Sequence, residues 1–194
     1  MFSHFIFDLD GTLVEFNIPL DRIRTELGIG DGYILEHILS CPESDRKRKL
    51  GILKKYEVVS ASESTLMPGV KDFIEFLEKN GVKKGVVTRN CVDSVNIITK
   101  KHLLNFDYVI TRETAPPKPS AEPLKLAMKL VGVGKDESVM VGDHLVDMLA
   151  GRNAGVTTIL VVNRKNASRI DEFSKYADYV IENLMELSDF VRFK

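Results

Sequence analysis

Two cysteines, Cys41 and Cys91, are all that the chain carries, and neither sits in a CxxC or Cys/His spacing. A disulfide scaffold and a thiolate metal site are therefore ruled out as organising devices, and a reducing cytoplasm is the expected compartment. An excess of either charge is missing as well: 27 Lys and Arg against 28 Asp and Glu leave a net charge of -1. Without a basic field, nucleic acid is not an expected partner. No stretch approaches the roughly 18 consecutive apolar residues of a spanning helix. The opening Met1-Phe2-Ser3-His4-Phe5 has no basic region leading into a long apolar one, so no membrane partner is expected. Internal repeats and low-complexity tracts are lacking. No GxGxxG or GxxxxGK follows an apolar run, which removes the dinucleotide-binding and P-loop readings.

What is there suits one ordinary domain with a modest insertion: 194 residues, 44% hydrophobic and 28% charged. A monomer or weak homodimer is expected. Six short runs rich in Val, Ile and Phe end in polar residues or glycine: Phe5 to Leu9, Lys84 to Thr88, Tyr108 to Thr111, Ser138 to Gly142, Thr157 to Val162 and Tyr179 to Ile181. Most are apolar throughout instead of alternating, which predicts strands covered on both faces, as in a parallel sheet. Helical periodicity appears between them, at Val70, Phe73, Ile74 and Leu77, at Leu124, Ala127, Met128 and Val131, and at Met148 to Asn153. The alternation predicts a doubly wound, mainly parallel α/β sheet whose ligand site lies beyond the carboxyl ends of its strands.

One stretch departs from the alternation. After the first strand, residues 15–66 show only helical signals, around Leu20, Ile23 and Leu27, around Ile34 to Leu39, and around Arg48 to Tyr56, before Met67-Pro68-Gly69 punctuates the chain. The expected organisation is an α/β core of residues 1–14 and 67–194 with a small helical subdomain of residues 15–66. Roughly fifty residues bury little surface alone, so the insert should pack on the core. The chain crosses between core and insert at Leu13 to Phe16 and at Thr65 to Gly69.

The chemistry-bearing residues gather at strand ends. Asp8-Leu9-Asp10-Gly11-Thr12 follows the first strand, and aspartates two residues apart on extended backbone share one side. Two close carboxylates repel, so the pair favours a hard divalent cation or a shared proton. Turn capping is an alternative for this pair by itself. Asp143 and Asp147 follow another apolar strand where a helix begins, a place where acids also act as caps. Thr88-Arg89-Asn90 ends a third strand and offers a hydroxyl, a cation and an amide for an anion. Lys118 stands between prolines that stiffen its loop. Together these groups furnish what phosphoryl transfer requires.

Taken in order, Asp8-Leu9-Asp10-Gly11-Thr12, Thr88, Lys118-Pro119 and Gly142-Asp143 with Asp147 resemble the four motifs of the haloacid dehalogenase superfamily, over nearly the whole chain. The resemblance implies a phosphatase in which Asp8 is the nucleophile and Asp10 the general acid and base, with Thr88 and Lys118 also catalytic. It implies phosphate binding by Leu9, Gly11, Thr12, Thr88, Arg89, Asn90 and Lys118. It further implies Mg2+ held by Asp8, Asp10 and Asp143, with Asp147 behind them. The insert falls where the superfamily places a helical cap, here shorter than many in the phosphoglycolate phosphatase and β-phosphoglucomutase group.

The implied substrate is a small phosphorylated metabolite, phosphoglycolate-like or a sugar phosphate. A sugar phosphomutase and a non-catalytic phosphate-binding protein are the alternatives. The sequence departs from the pattern at Arg89, where asparagine is frequent, and at His144, where serine or threonine is frequent. Arg89 either meets a substrate anion or faces solvent, and His144 either titrates near the site or begins the helix. The run Arg46-Lys47-Arg48-Lys49 either steers an anion or is a solvated face.

Overall fold

The computed structural model describes residues 1–192. Six strands form one sheet: β1 (His4–Phe7), β2 (Lys83–Val87), β3 (Tyr108–Ile110), β4 (Ser138–Gly142), β5 (Thr157–Val161) and β6 (Tyr179–Ile181). Their order is β3-β2-β1-β4-β5-β6, and every neighbouring pair is parallel. The strands begin or stop within a residue or two of the sequence expectations. The first ends at Phe7, so Asp8 already stands on the loop beyond it.

Strand pleating distributes the apolar residues to two faces. Phe5, Phe7, Val86, Val139, Val141, Ile159 and Val161 join one cluster with α4 (Val70–Lys79), α5 (Val92–His102) and the 3-10 segment Leu184–Phe190. Ile6, Val87, Ile110 and Met140 join another with α6 (Glu122–Val131) and α7 (Leu145–Ala154). Leu160 meets Met148 and Phe173 on that second side, Phe173 ending the short α8 (Ile170–Phe173). Helices thus cover both faces, which is why the strands read as continuous apolar runs.

The apolar periods read from the sequence do not include α5, although Cys91 reads as a helix start and stands at its N-terminus. Its Val92, Val95, Ile97, Ile98 and Thr99 are β-branched residues of modest helix propensity, and burial of Val95 and Ile98 among the sheet and α3 overrides that bias. A buried network sits at the opposite end of the sheet from the β1 loop. Ser138 Oγ donates to the Gly134 carbonyl (2.8 Å), so it must accept from His4 Nδ1–H (2.8 Å), leaving His4 Nε2 to accept from the Tyr108 hydroxyl (2.8 Å).

Between β1 and α4 lie α1 (Leu20–Leu27), α2 (Ile34–Ser40) and α3 (Glu43–Glu63). Ile23, Leu27, Ile34, Leu35, Ile38 and Leu53 form an apolar cluster of their own there. The chain enters and leaves this region on adjacent strands of backbone: Glu15 N–H donates to the Thr65 carbonyl (2.9 Å) and Met67 N–H to the Leu13 carbonyl (3.0 Å). Helix α3 is far longer than its sequence signal, because one end packs in that cluster and the other against α5, so no single apolar stripe runs along it. Among the described residues no helix is long and apolar enough to cross a membrane.

Candidate active site

The sheet order reverses at β1, whose two neighbours are β2 and β4. Loops leaving adjacent strands on either side of such a reversal diverge and open a crevice at the carboxyl end. Asp8 leaves β1 into that crevice, Thr88 leaves β2 and Asp143 leaves β4. A cavity of about 240 Å³ lies there, lined on the core side by Asp8, Asp10, Thr88, Asn90, Asp143 and Asp147.

The loop after β1 is shaped by backbone. Leu13 and Val14 N–H both donate to the Leu9 carbonyl (2.9 and 3.0 Å), and Gly11 N–H donates to the Val14 carbonyl (2.7 Å). The Leu9 side chain is buried in the core while Asp8 and Asp10 face the cavity. Gly11 has φ 87°, and a Cβ there would lie 2.1 Å from Asp143 Oδ2, so only glycine lets the two loops approach.

Lys118, 1% exposed, reaches under the carboxylates from the loop between β3 and α6. Its Nζ lies 2.5 Å from Asp8 Oδ1 and 2.6 Å from Asp147 Oδ1. It stands behind these acids and is not part of the cavity wall. Asp147 Oδ2 also accepts from the His144 N–H (3.0 Å), and His144 Nδ1 accepts from Val146 N–H (3.4 Å), a reciprocal cap at the start of α7. His144 therefore begins the helix, and its burial holds its imidazole below the ordinary histidine range.

Asn90 Nδ2 donates to Asp10 Oδ2 (2.5 Å), and Asn90 N–H donates to Thr88 Oγ1 (3.2 Å). Arg89 turns to the insert instead of the carboxylates: its Nη2 contacts both oxygens of Glu36 on α2 (2.6 and 2.7 Å), and its guanidinium lies over the Tyr33 ring. Thr12, which the resemblance marks for phosphate, is fully buried and absent from the cavity wall, and its Oγ1 has no hydrogen-bond partner among the described residues. Of the basic run, Arg48 and Lys49 pair with Asp45 (2.7 and 3.2 Å), away from the cavity.

Electrostatically the site is short of positive charge. Burial, with Asp8 beside it, pushes Asp10 up to about 7, against the Asn90 hydrogen bond. Burial, with Asp8 and Asp147 nearby, pushes Asp143 well above the carboxylate range. Burial also raises Asp8, although Lys118 opposes it. Burial pulls Lys118 down, but Asp147 and Asp8 outweigh it and leave the ammonium more firmly protonated. One buried ammonium faces several buried carboxylates, and donor oxygens of Asp8, Asp143 and Asp147 lie within 4.8 Å of one another. An all-oxygen set of this charge fits a hard divalent cation.

Several residues that hold this arrangement carry no motif signal. Asn163, just beyond β5, donates from Nδ2 to Asp143 Oδ2 (2.8 Å) and to the Gly11 carbonyl (2.9 Å). Asn166 Nδ2 donates to the carbonyls of Asp143 (2.7 Å) and Val161 (2.8 Å). From α3, Glu57 accepts from Arg112 through both oxygens (2.5 and 2.9 Å) and from Cys91 N–H (3.2 Å). Cys91 is otherwise buried at the start of α5. Lone asparagines and single ion-pair partners on distant segments cannot be told from surface residues by spacing. The only usable sign was that Asn163 and Asn166 follow a strand.

Comparison with known proteins bears on what such a site does. Residues 5–161 match the family model described as haloacid dehalogenase-like hydrolase. An uncharacterised hydrolase of Saccharomyces cerevisiae is 32% identical, over 96% of this chain and 89% of its own. Pyrophosphatase PpaX of Bacillus velezensis is 34% identical, over 94% and 93%. The crystal structure of a hydrolase from Pseudomonas syringae superposes with a TM-score of 0.82 over 96% of both chains at 23% identity, a likeness of fold.

Proposed function

The chain belongs to the haloacid dehalogenase-like hydrolases and is a phosphatase, and on that premise we propose that it hydrolyses a small phosphomonoester through an aspartyl phosphate on Asp8. The observation that carries this reading is the Lys118 contact with Asp8 Oδ1 at 2.5 Å. It holds one carboxylate oxygen and leaves the other as the nucleophile at the cavity, at the strand end flanked by Thr88 and Asp143.

In the proposed sequence an Asp8 oxygen bonds to phosphorus as the bond to the leaving oxygen breaks, and Asp10 gives that oxygen its proton. Asp10, now ionised, takes a proton from water as the water oxygen attacks phosphorus, which frees phosphate and restores Asp8. Asn90 orients Asp10 for both transfers through its hydrogen bond. Thr88 Oγ1 and the amides of Leu9 and Arg89 serve as donors to the phosphoryl oxygens. Asp8, Asp143 and the carbonyl of Asp10 would hold Mg2+, which when bound offsets the charge of the phosphoryl group against the surrounding carboxylates. Lys118 supplies the remaining positive charge from behind, and Asp147 keeps Lys118 in place.

Residues 15–66 act in this reading as a cap that closes the cavity opposite the carboxylates and limits water there. The paired backbones at 13–16 and 65–69 are its hinge.

The test is phosphate release from a panel of small phosphomonoesters, with and without Mg2+, by the parent protein and Asp8→Asn. Metal-dependent release that disappears in the variant is expected. Full activity in Asp8→Asn would remove the nucleophile assignment.

A further inference from the structure

The part of the cavity wall that the insert supplies is largely apolar, with Arg24, Tyr33 and Glu57 as its polar members. Its apolar members are Phe16, Ile18 and Leu20 before and within α1, Ile34 and Leu35 of α2 and Leu53 of α3. None of these side chains can donate or accept a hydrogen bond. The cations near the cavity are engaged already. Arg89 is held by Glu36, and Lys118 by Asp8 and Asp147. Arg112 is held by Glu57, itself a further carboxylate on the cavity wall. Arg24, also on the wall, spends Nη1 on the exposed Asp21 (2.9 Å) and Nη2 on the Gly32 carbonyl (3.2 Å), and only its buried Nε–H has no partner among the described residues.

We propose that the substrate's leaving group is uncharged and apolar, an alkyl or aryl chain seated against Ile34, Leu35 and Leu53, and not a carboxylate, a second phosphate or a polyhydroxylated sugar. The inference deepens the phosphatase reading and rests on it. A second anion on the leaving group would face Asp10 and Glu57, and apart from the single Nε–H of Arg24 it would meet only cations already paired. Sugar hydroxyls pressed on Ile34, Leu35 and Leu53 would lose water and gain no partner there, which these side chains penalise. A hydrocarbon chain meets neither obstacle and releases water from the wall. The chain length it can hold is set by the cavity of about 240 Å³.

The experiment is kcat/KM with Mg2+ for methyl, ethyl, propyl and butyl phosphate beside 2-phosphoglycolate, glycerol phosphate and pyrophosphate. Dissociation constants of the corresponding alkylphosphonates and of phosphonoacetate are measured by calorimetry in parallel. We expect kcat/KM to rise about threefold to fourfold per methylene, with butyl phosphate at least tenfold above the charged and hydroxylated substrates. Phosphonate affinity should rise in the same order. A flat alkyl series, or 2-phosphoglycolate or pyrophosphate equal to butyl phosphate, would overturn the inference. If no ester or pyrophosphate is hydrolysed, the phosphatase reading fails, and the phosphonate series still decides the pocket: rising affinity upholds the apolar site, and preference for phosphonoacetate refutes it.

Discussion

Arg112→Met tests how the helical insert is tied to the core. Arg112 and Glu57 have side chains 6% and 3% exposed and meet through two contacts, at 2.5 and 2.9 Å. Arg112 Nη1 also donates to the Arg89 carbonyl (2.9 Å), and Glu57 also accepts from Cys91 N–H. Removing the arginine leaves a buried carboxylate with a single amide partner, and losses of this kind cost about 3–5 kcal/mol. For a chain of this size that lowers Tm by roughly 6–20 °C. Glu57→Leu should cost a similar amount by stranding the guanidinium. The double variant strands no charge and loses only the partners of two backbone groups, so it should cost about 2–3 kcal/mol instead of the additive sum of about 6–10. Urea unfolding of the parent, both single variants and the double variant gives the four free energies. Additive losses, or an Arg112→Met cost below about 1 kcal/mol, would show that the pair is not a buried, coupled clamp. Because the clamp grips the backbone at Arg89 and Cys91, next to Thr88, kcat/KM should fall in the double variant even where stability largely returns.

Asn163→Ala should weaken Mg2+ binding by about tenfold to a hundredfold, because Asp143 loses the donor that orients it; calorimetric titration reads this, and unchanged affinity would refute the positioning role. His4 is fully buried and burial lowers it from 6.5 to about 4, so its neutral form belongs to the folded state. Its contribution is complete above pH 6.5 and is lost as pH falls toward 4, a decline of about 3 kcal/mol. Urea midpoints across that window should show the fall in the parent protein, and His4→Asn should lack that component; equal slopes in both would refute it.

How much was legible beforehand differs between parts of the molecule. The β-strands could be read because both faces of each are covered, so burial leaves a local apolar run that needs no knowledge of neighbours. Asp8, Asp10, Thr88, Asn90, Asp143 and Asp147 could be located because each stands just after such a run, and doubly wound sheets gather strand ends at one edge. Helix α5 was less legible, since its β-branched residues give little local helical preference and its support comes from α3 and the sheet packed against it. Arg89 stood open between substrate and solvent, and its place beside Glu36 depends on where α2 folds back over the crevice.

The sequence by itself determined the order of the strands along the chain, the acids at their ends and the interruption by helices after the first strand, because these are written in residues close together. Tertiary structure alone decided that Lys118 sits beneath Asp8 and Asp147, that Asn163 and Asn166 hold Asp143, that Glu57 meets Arg112, and that the insert's side of the cavity is largely apolar. Each of those contacts joins segments far apart in the chain, and its energy comes from burial and pairing that exist only once the sheet has assembled.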